Sequence, residues 1–202
     1  MHLVQPAEPS RPGRMAPGQR RQQILQVLAT MLQEPQAERV TTAALAARLS
    51  LSEAALYRHF ASKAQMFEGL IEFIETSLFG LAEQIAQLPQ SAPERAQRLV
   101  WALLQFAQTN PGMARVLVGD ALVLEHERLN ARVHQLFERL ESTLRQWLRE
   151  SDPSATATVD AQARAAVLMG FAQGRLLRFV RSGFKRSPMD QFDAVRLHLP
   201  HS

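Results

Sequence analysis

Tyr57, Arg58 and His59 stand side by side, with Lys63 shortly after them and hydroxyls upstream at Thr42 and Ser52. Cations, an imidazole, a phenol and hydroxyls bond phosphate oxygens and reach base edges in a groove. The chemistry they support is recognition, with no covalent step. Other candidate chemistry is sparse. The chain has no cysteine, which excludes thiol catalysis, disulfides and thiolate metal sites. It contains no glycine-rich phosphate loop, no HExxH and no serine nucleophile elbow, so no enzyme activity and no cofactor are expected. His126, His134 and Glu138 share roughly one face of a helix. That spacing could ligate a metal, but it is also that of ordinary surface histidines.

The elements that must position the first group lie between Thr41 and Lys63, in TTAALAARLSLSEAALYRHFASK. Leu45, Ala46, Leu49, Leu51, Ala54 and Leu56 have the spacing of two short helices packed on each other. Thr41 or Thr42 can cap the first helix and Ser52 the second, with Glu53 in the favoured first turn. Ser62 with Gln65 reads as a capping box that opens the next helix. The turn between the short helices calls for a left-handed residue, usually Gly. Here it is Ser50, at a cost of about 1 kcal/mol. This is the pattern of a helix-turn-helix, whose second helix enters the DNA major groove. The DNA-facing candidates are Ser52, Glu53, Ala54, Tyr57, Arg58 and His59 on that helix. Thr42 joins them from the first helix, Lys63 as a point charge, and Arg20 and Arg21 from upstream. Each has a plainer alternative. Tyr57 can pack in the small core, Thr42 and Ser52 can be caps only, and Lys63, Arg20 and Arg21 can be solvated.

Charge agrees with this placement. Residues 1–63 hold eight basic and four acidic side chains, and the remainder holds fifteen of each. The whole net charge of +4 therefore lies in the segment assigned to DNA, as phosphate contact requires. Residues 1–18, rich in Pro and Arg, read as a disordered basic arm, without the apolar core of a signal peptide. Residues 19–63 read as the DNA-binding domain and 64–202 as a helical body for dimerisation and partner binding. No run is apolar enough to span a membrane, and the cysteine-free composition suits a reducing cytoplasm.

The periodicity predicts an all-α chain. A first helix from Gln19 carries Ile24, Leu25, Leu28, Met31 and Leu32, and Pro35 stops it. A long fourth helix, about 62–88, has a stripe through Phe67, Leu70, Ile71, Ile74 and Leu78; Phe73 lies off its centre. Ser91 and Glu94 open a fifth helix, and Asn110-Pro-Gly112 breaks it. A short sixth helix is expected over Val116–Leu124, a seventh over Leu129–Leu148, a linker at 151–154 and an eighth over Val159–Arg181. A last helix is expected to start at Ser187-Pro188. Phe73 reads either as core or as part of an open groove toward Ala102 and Asn110, fit for an extended partner peptide. Gly170 and Gly174 leave a smooth face, for a second copy or for a helix of the same chain. Arg175, Arg178, Arg181, Lys185 and Arg186 form a basic row, solvated or paired across an interface.

The amino-terminal helix, the segment TTAALAARLSLSEAALYRHFASKAQMFEGL and the long helix after it resemble the TetR family, three head helices followed by a six-helix body. A narrower resemblance lies in the body and is to nucleoid occlusion factors. It is carried by LIEFIE at 70–75, NPG at 110–112, NARVHQLFER at 130–139 and RFVRSGFK at 178–185. The resemblance implies a homodimer formed through the last two long helices, with Gly170, Gly174, Leu177 and Arg178 in the interface. It implies binding to palindromic double-stranded DNA on the nucleoid. It also implies that the DNA-bound protein engages the tubulin-like division protein FtsZ and blocks septum assembly. The alternative is a ligand-responsive TetR-type repressor. A body interior of mostly Leu, Val, Phe and Ala leads us to expect no small-molecule ligand.

Overall fold

The computed structural model describes residues 18–34, 40–123, 125–150 and 156–195. The expectations for residues 1–17, for Pro35 as a stop, for Leu124 and for the linker at 151–154 lie outside that set. The chain is all-α, with no strand among the described residues. Helices run in the order α1 (Gln19–Leu32), α2 (Thr42–Arg48), α3 (Glu53–Tyr57), α4 (Lys63–Ala86) and α5 (Ala92–Thr109). Then come α6 (Pro111–Leu117), a 3₁₀ turn (Asp120–Leu122), α7 (Glu127–Glu150), α8 (Ala157–Arg181) and α9 (Phe192–Val195).

The helix starts follow from capping. Thr41 caps α2 by accepting the Ala44 N–H at 3.1 Å, and Ser52 caps α3 by accepting the Ala55 N–H at 3.1 Å. Ser62 caps α4 through the Gln65 N–H at 3.2 Å. The reciprocal half of the expected box differs, because Gln65 Oε1 accepts from Ala61 N–H, one residue too early. At α5 the box is complete: Ser91 N–H donates to Glu94 Oε2 at 2.8 Å and Glu94 N–H donates to Ser91 Oγ at 3.4 Å. Ser50 takes the left-handed conformation the turn demands, with φ 53°.

Two elements differ from expectation. α6 begins at Pro111, because proline starts a helix as well as it stops one, and the helix ends at Leu117. Its expected later part is the separate 3₁₀ turn, set off by left-handed Gly119. The last helix starts at Phe192 and not at Ser187-Pro188. Phe184 and Gln191 have positive φ, so the chain turns twice before it can coil again.

One apolar cluster runs from Ile24 in α1 to Phe192 in α9, with no gap between the first three helices and the rest. α5 lies in the middle, against α4, α6, α7 and α8, while α7 and α8 form the most extensive helix pair. α1 crosses α6 at Gly112, where an added Cβ would stand 2.0 Å from the Ala29 carbonyl oxygen. Only glycine permits that approach. Arg115 adds a bond to the Leu32 carbonyl at 3.4 Å.

Candidate functional site

α3 is a five-residue helix whose inner side, Ala55 and Leu56, is buried with Leu45, Phe60 and Ile24. Burial of that side turns the other outward. Tyr57 is 42% exposed, so it is not part of the head's core. Ser52, Glu53, Ala54 and Arg58 are exposed as well, and His59 is half-buried. These side chains form one solvent-facing edge with the capped amino terminus of α3.

Several candidates are engaged within the chain. Thr42 is not the cap of α2. Its hydroxyl donates to Glu53 Oε2 at 2.6 Å and ties the first turns of α2 and α3 together. Arg21 lies 4.0 Å above the Phe60 ring and donates to the His59 carbonyl, so it braces the motif from behind. Arg20 reaches Gln23 Oε1 at 2.7 Å on its own helix. Lys63 pairs with Glu125, just ahead of α7, and its ammonium sits 5.6 Å from the Phe67 ring.

α4 is bound to α7 by two further ion pairs. Arg132 grips Glu75 with both arms, at 3.1 and 2.6 Å, and the bond to Glu75 raises its guanidinium above the usual range although burial opposes this. Arg128 pairs with Glu68 at 2.8 Å. Nothing in the local sequence pattern signals these contacts.

On the next face, Phe73 is 50% exposed in mid-α4. Its two expected companions differ. Ala102 is only 7% exposed and belongs to the core, because α5 turns that residue inward toward its neighbours. Asn110 is half-buried, and its amide donates to the Phe106 carbonyl at 2.8 Å, closing α5. Trp101, not singled out from the sequence, is exposed on α5. Its row, Arg98 and Gln105 a turn on either side, is polar, and that was the available signal.

α8 presents Val159, Val167, Gly170, Gly174 and Leu177 to solvent, with Arg178 beside them. Cβ atoms built on Gly170 and Gly174 meet nothing within 4 Å, so no helix of the same chain packs there. Arg175 leaves the expected basic row. It is buried 5.1 Å from the Phe171 ring, and burial first, then Arg178, lowers its pKa. His126, His134 and Glu138 do not gather as metal ligands among the described residues. His134 instead lines a cleft of about 560 Å³ between the 117–123 segment, α7 and α8, with Asn130, Phe137, Gln173 and Arg181. The cleft opens to solvent along Val123, Gln173 and Leu177 and lies outside the packed interior of the body.

Residues 91–199 match the profile described as SlmA-like, a tetracyclin repressor-like C-terminal domain. Residues 24–70 match that of bacterial regulatory proteins of the tetR family. The chain belongs to the SlmA family of TetR-type proteins. It is 49% identical over 176 residues to the nucleoid occlusion factor SlmA of Colwellia psychrerythraea, covering 86% of this chain and 89% of that one. It is 50% identical over 177 residues to the SlmA of Vibrio cholerae, covering 86% and 90%. Among solved structures, the fatty acid degradation regulator FadR of Bacillus halodurans superposes with a TM-score of 0.74 at 14% identity, over 92% of this chain and 96% of that chain. A TetR-like regulator from Rhodococcus gives 0.71 at 19% identity, over 92% and 97%. These two establish the fold that the SlmA family shares with TetR regulators. No helix among the described residues is long and apolar enough to cross a membrane.

Proposed function

We propose that this chain is a nucleoid occlusion factor: a homodimer that binds palindromic duplex DNA and, while bound, engages FtsZ and blocks septum assembly over the nucleoid. The observation that carries the DNA part is Tyr57, exposed beside Arg58 on a capped recognition helix. The identity to SlmA proteins over most of the chain supports the rest. In this reading Ser52, Glu53, Ala54, Tyr57, Arg58 and His59 face the groove, and Lys63 serves a phosphate. Thr42 and Arg21 hold the motif in shape, and Arg20, whose bond to Gln23 stays on α1, serves the DNA backbone. Phe73 is the anchor for an extended FtsZ segment near Asn110. The face of Gly170, Gly174, Leu177 and Arg178 receives the second copy. The protein acts by binding alone, in the cytoplasm at the nucleoid.

The second reading, a ligand-responsive repressor, draws on the cleft of about 560 Å³ beside α7 and α8. Light scattering of FtsZ polymers separates the two, with the protein added in the presence and absence of a duplex it binds. Scattering should fall only when protein and duplex are both present. No DNA-dependent change would leave the repressor reading. Tyr57→Ala should weaken DNA binding in a mobility-shift assay while the dimer stays folded, and unchanged binding would count against the assigned face.

A further inference from the structure

We propose that Glu125 is a built-in competitor for the DNA phosphate at Lys63, holding one phosphate contact in check until a duplex displaces it. The proposal rests on the DNA-binding reading above. Lys63 and Glu125 form an ion pair in which the side chains keep only 19% and 11% of their surface exposed. The pair joins the helix that follows the recognition helix to the segment leading into α7.

Two features set this pair apart from a simple brace. The first is its place on α4. Lys63 is the first residue of that helix, and no acid stands in the first turn. A cation there opposes the helix macrodipole, so the helix gains nothing from it. The second is polarity. At Glu68–Arg128 and Glu75–Arg132 the carboxylate is on α4 and the cation on α7. At Lys63–Glu125 the order is reversed. Either order would brace the helices equally; the reversed one puts a cation on the first residue of the helix that follows the recognition helix, four residues on from His59 in the chain, where a phosphate contact needs it.

The ammonium has three donors and can touch two acceptors. An arriving phosphate must take the ammonium from Glu125 against the repulsion of that carboxylate. Glu125 N–H donates to the Leu122 carbonyl at 3.0 Å, and Asp120 in the same 3₁₀ turn holds Arg115 at 2.6 Å. Asp120 and Val123 line the cleft beside α7.

The test uses the full chain and a labelled mixed-sequence duplex at low salt, since a phosphate contact does not depend on base sequence. Fluorescence anisotropy would compare the wild type with Glu125→Gln, Lys63→Met, the double variant and Arg128→Gln. Removing the competitor should tighten binding about threefold per head, about tenfold for a dimer using both. The gain should vanish on the Lys63→Met background, because the effect acts through the ammonium. Arg128→Gln breaks a neighbouring pair without touching Lys63 and, having lost a cation, should not tighten binding. Wild-type affinity in Glu125→Gln, a gain that persists without Lys63, or an equal gain in Arg128→Gln would each overturn the proposal. Absence of binding in every variant would sink the DNA reading, and this proposal with it. Melting curves confirm that each variant is folded at the assay temperature.

Discussion

Gly112→Ala tests how the DNA-facing helices are carried by the body. The new Cβ would lie 2.0 Å from the Ala29 carbonyl oxygen, 3.0 Å from its carbon and 3.2 Å from Leu32 Cβ. Carbon–oxygen contact closes at about 3.3 Å, so α1 and α6 must part by roughly 1 Å or more. The obstructing oxygen is main chain in the last turn of α1, and it cannot swing aside as a side chain would. Overpacking by one methyl against fixed neighbours costs about 1–3 kcal/mol. Alanine's helical preference returns at most about 1 kcal/mol, and less at the second residue of α6. A net loss of about 1–2 kcal/mol should lower the melting temperature by about 2–8 °C in a protein of this size. DNA binding should fall further than stability alone explains, because α2 and α3 ride on α1 and the Arg115 bond to Leu32 would lengthen. Thermal circular dichroism and anisotropy with a labelled duplex read the two effects. Gly80→Ala is the control: its Cβ meets nothing within 4 Å in the interior of α4, so it should stabilise. If Gly112→Ala melts with the wild type, the close crossing of α1 and α6 is not a constraint and the reasoning fails.

Arg21→Met keeps an apolar stem over Phe60 but loses the guanidinium and its bond to the His59 carbonyl; urea unfolding should show a loss of about 1–2 kcal/mol. The salt slope of DNA binding should stay the same, and a slope smaller by about one would mean that Arg21 touches a phosphate. Gly170→Ala with Gly174→Ala meets no obstruction within the chain and should favour α8 by up to about 1 kcal/mol each. If a second copy packs on that face, light scattering should nonetheless show dimers giving way to monomers, and an unchanged mass would remove this face from the interface. Glu94 is held below the usual carboxylate range, first by the Ser91 hydroxyl and then by the Ser91 N–H. A depressed carboxyl stabilises fully above its unfolded value, about 4.3, and the contribution is lost as pH falls through the lower folded one. Glu94→Ala should therefore be less stable than wild type near neutral pH, and the two melting temperatures should converge in acid below the carboxylate range.

What local physics decides was legible in the sequence. Ser50 at φ 53°, the caps Ser52 and Ser91, a threonine cap at 41 or 42, and the buried stripe of α7 all follow from spacing within a turn or two. The exposure of Tyr57 was not decided there: the spacing allowed it in the small core and put Ala54 on the packed side, where the structure has Ala55. What depends on how one helix is rotated against a distant one was not legible. Gly112 meets Ala29, Lys63 meets Glu125 and Arg21 meets Phe60 across wide sequence gaps, and no period encodes those meetings. Ala102 shows the same limit. On an amphipathic helix packed on several sides, a small apolar residue can face either the core or a groove, and only the rotation of α5 places it inside. Proline at 111 was ambiguous for another reason, since one ring both closes α5 and opens α6.

α4 connects the proposed activities by geometry alone. Lys63 is its first residue and Phe73 stands ten residues on, about 15 Å along the axis at 1.5 Å per residue. The helix has no proline, and its only glycines are Gly69 and Gly80, so it transmits position as a rod. Glu68 and Glu75 fasten the same stretch to Arg128 and Arg132 of α7, the helix paired along its length with α8 and its exposed glycines. A duplex that fixes the heads of two copies would therefore fix both α4 rods, and with them the spacing and orientation of two Phe73 side chains. A DNA requirement for partner binding then needs no refolding around Phe73. It needs only that a partner, weak at one Phe73, meet two of them held at one separation. On this account a heterodimer with Phe73→Ala in one copy only should bind the duplex normally and lose most of the DNA-dependent effect on FtsZ. Half the effect remaining would mean that each Phe73 acts alone and that the duplex changes its surroundings.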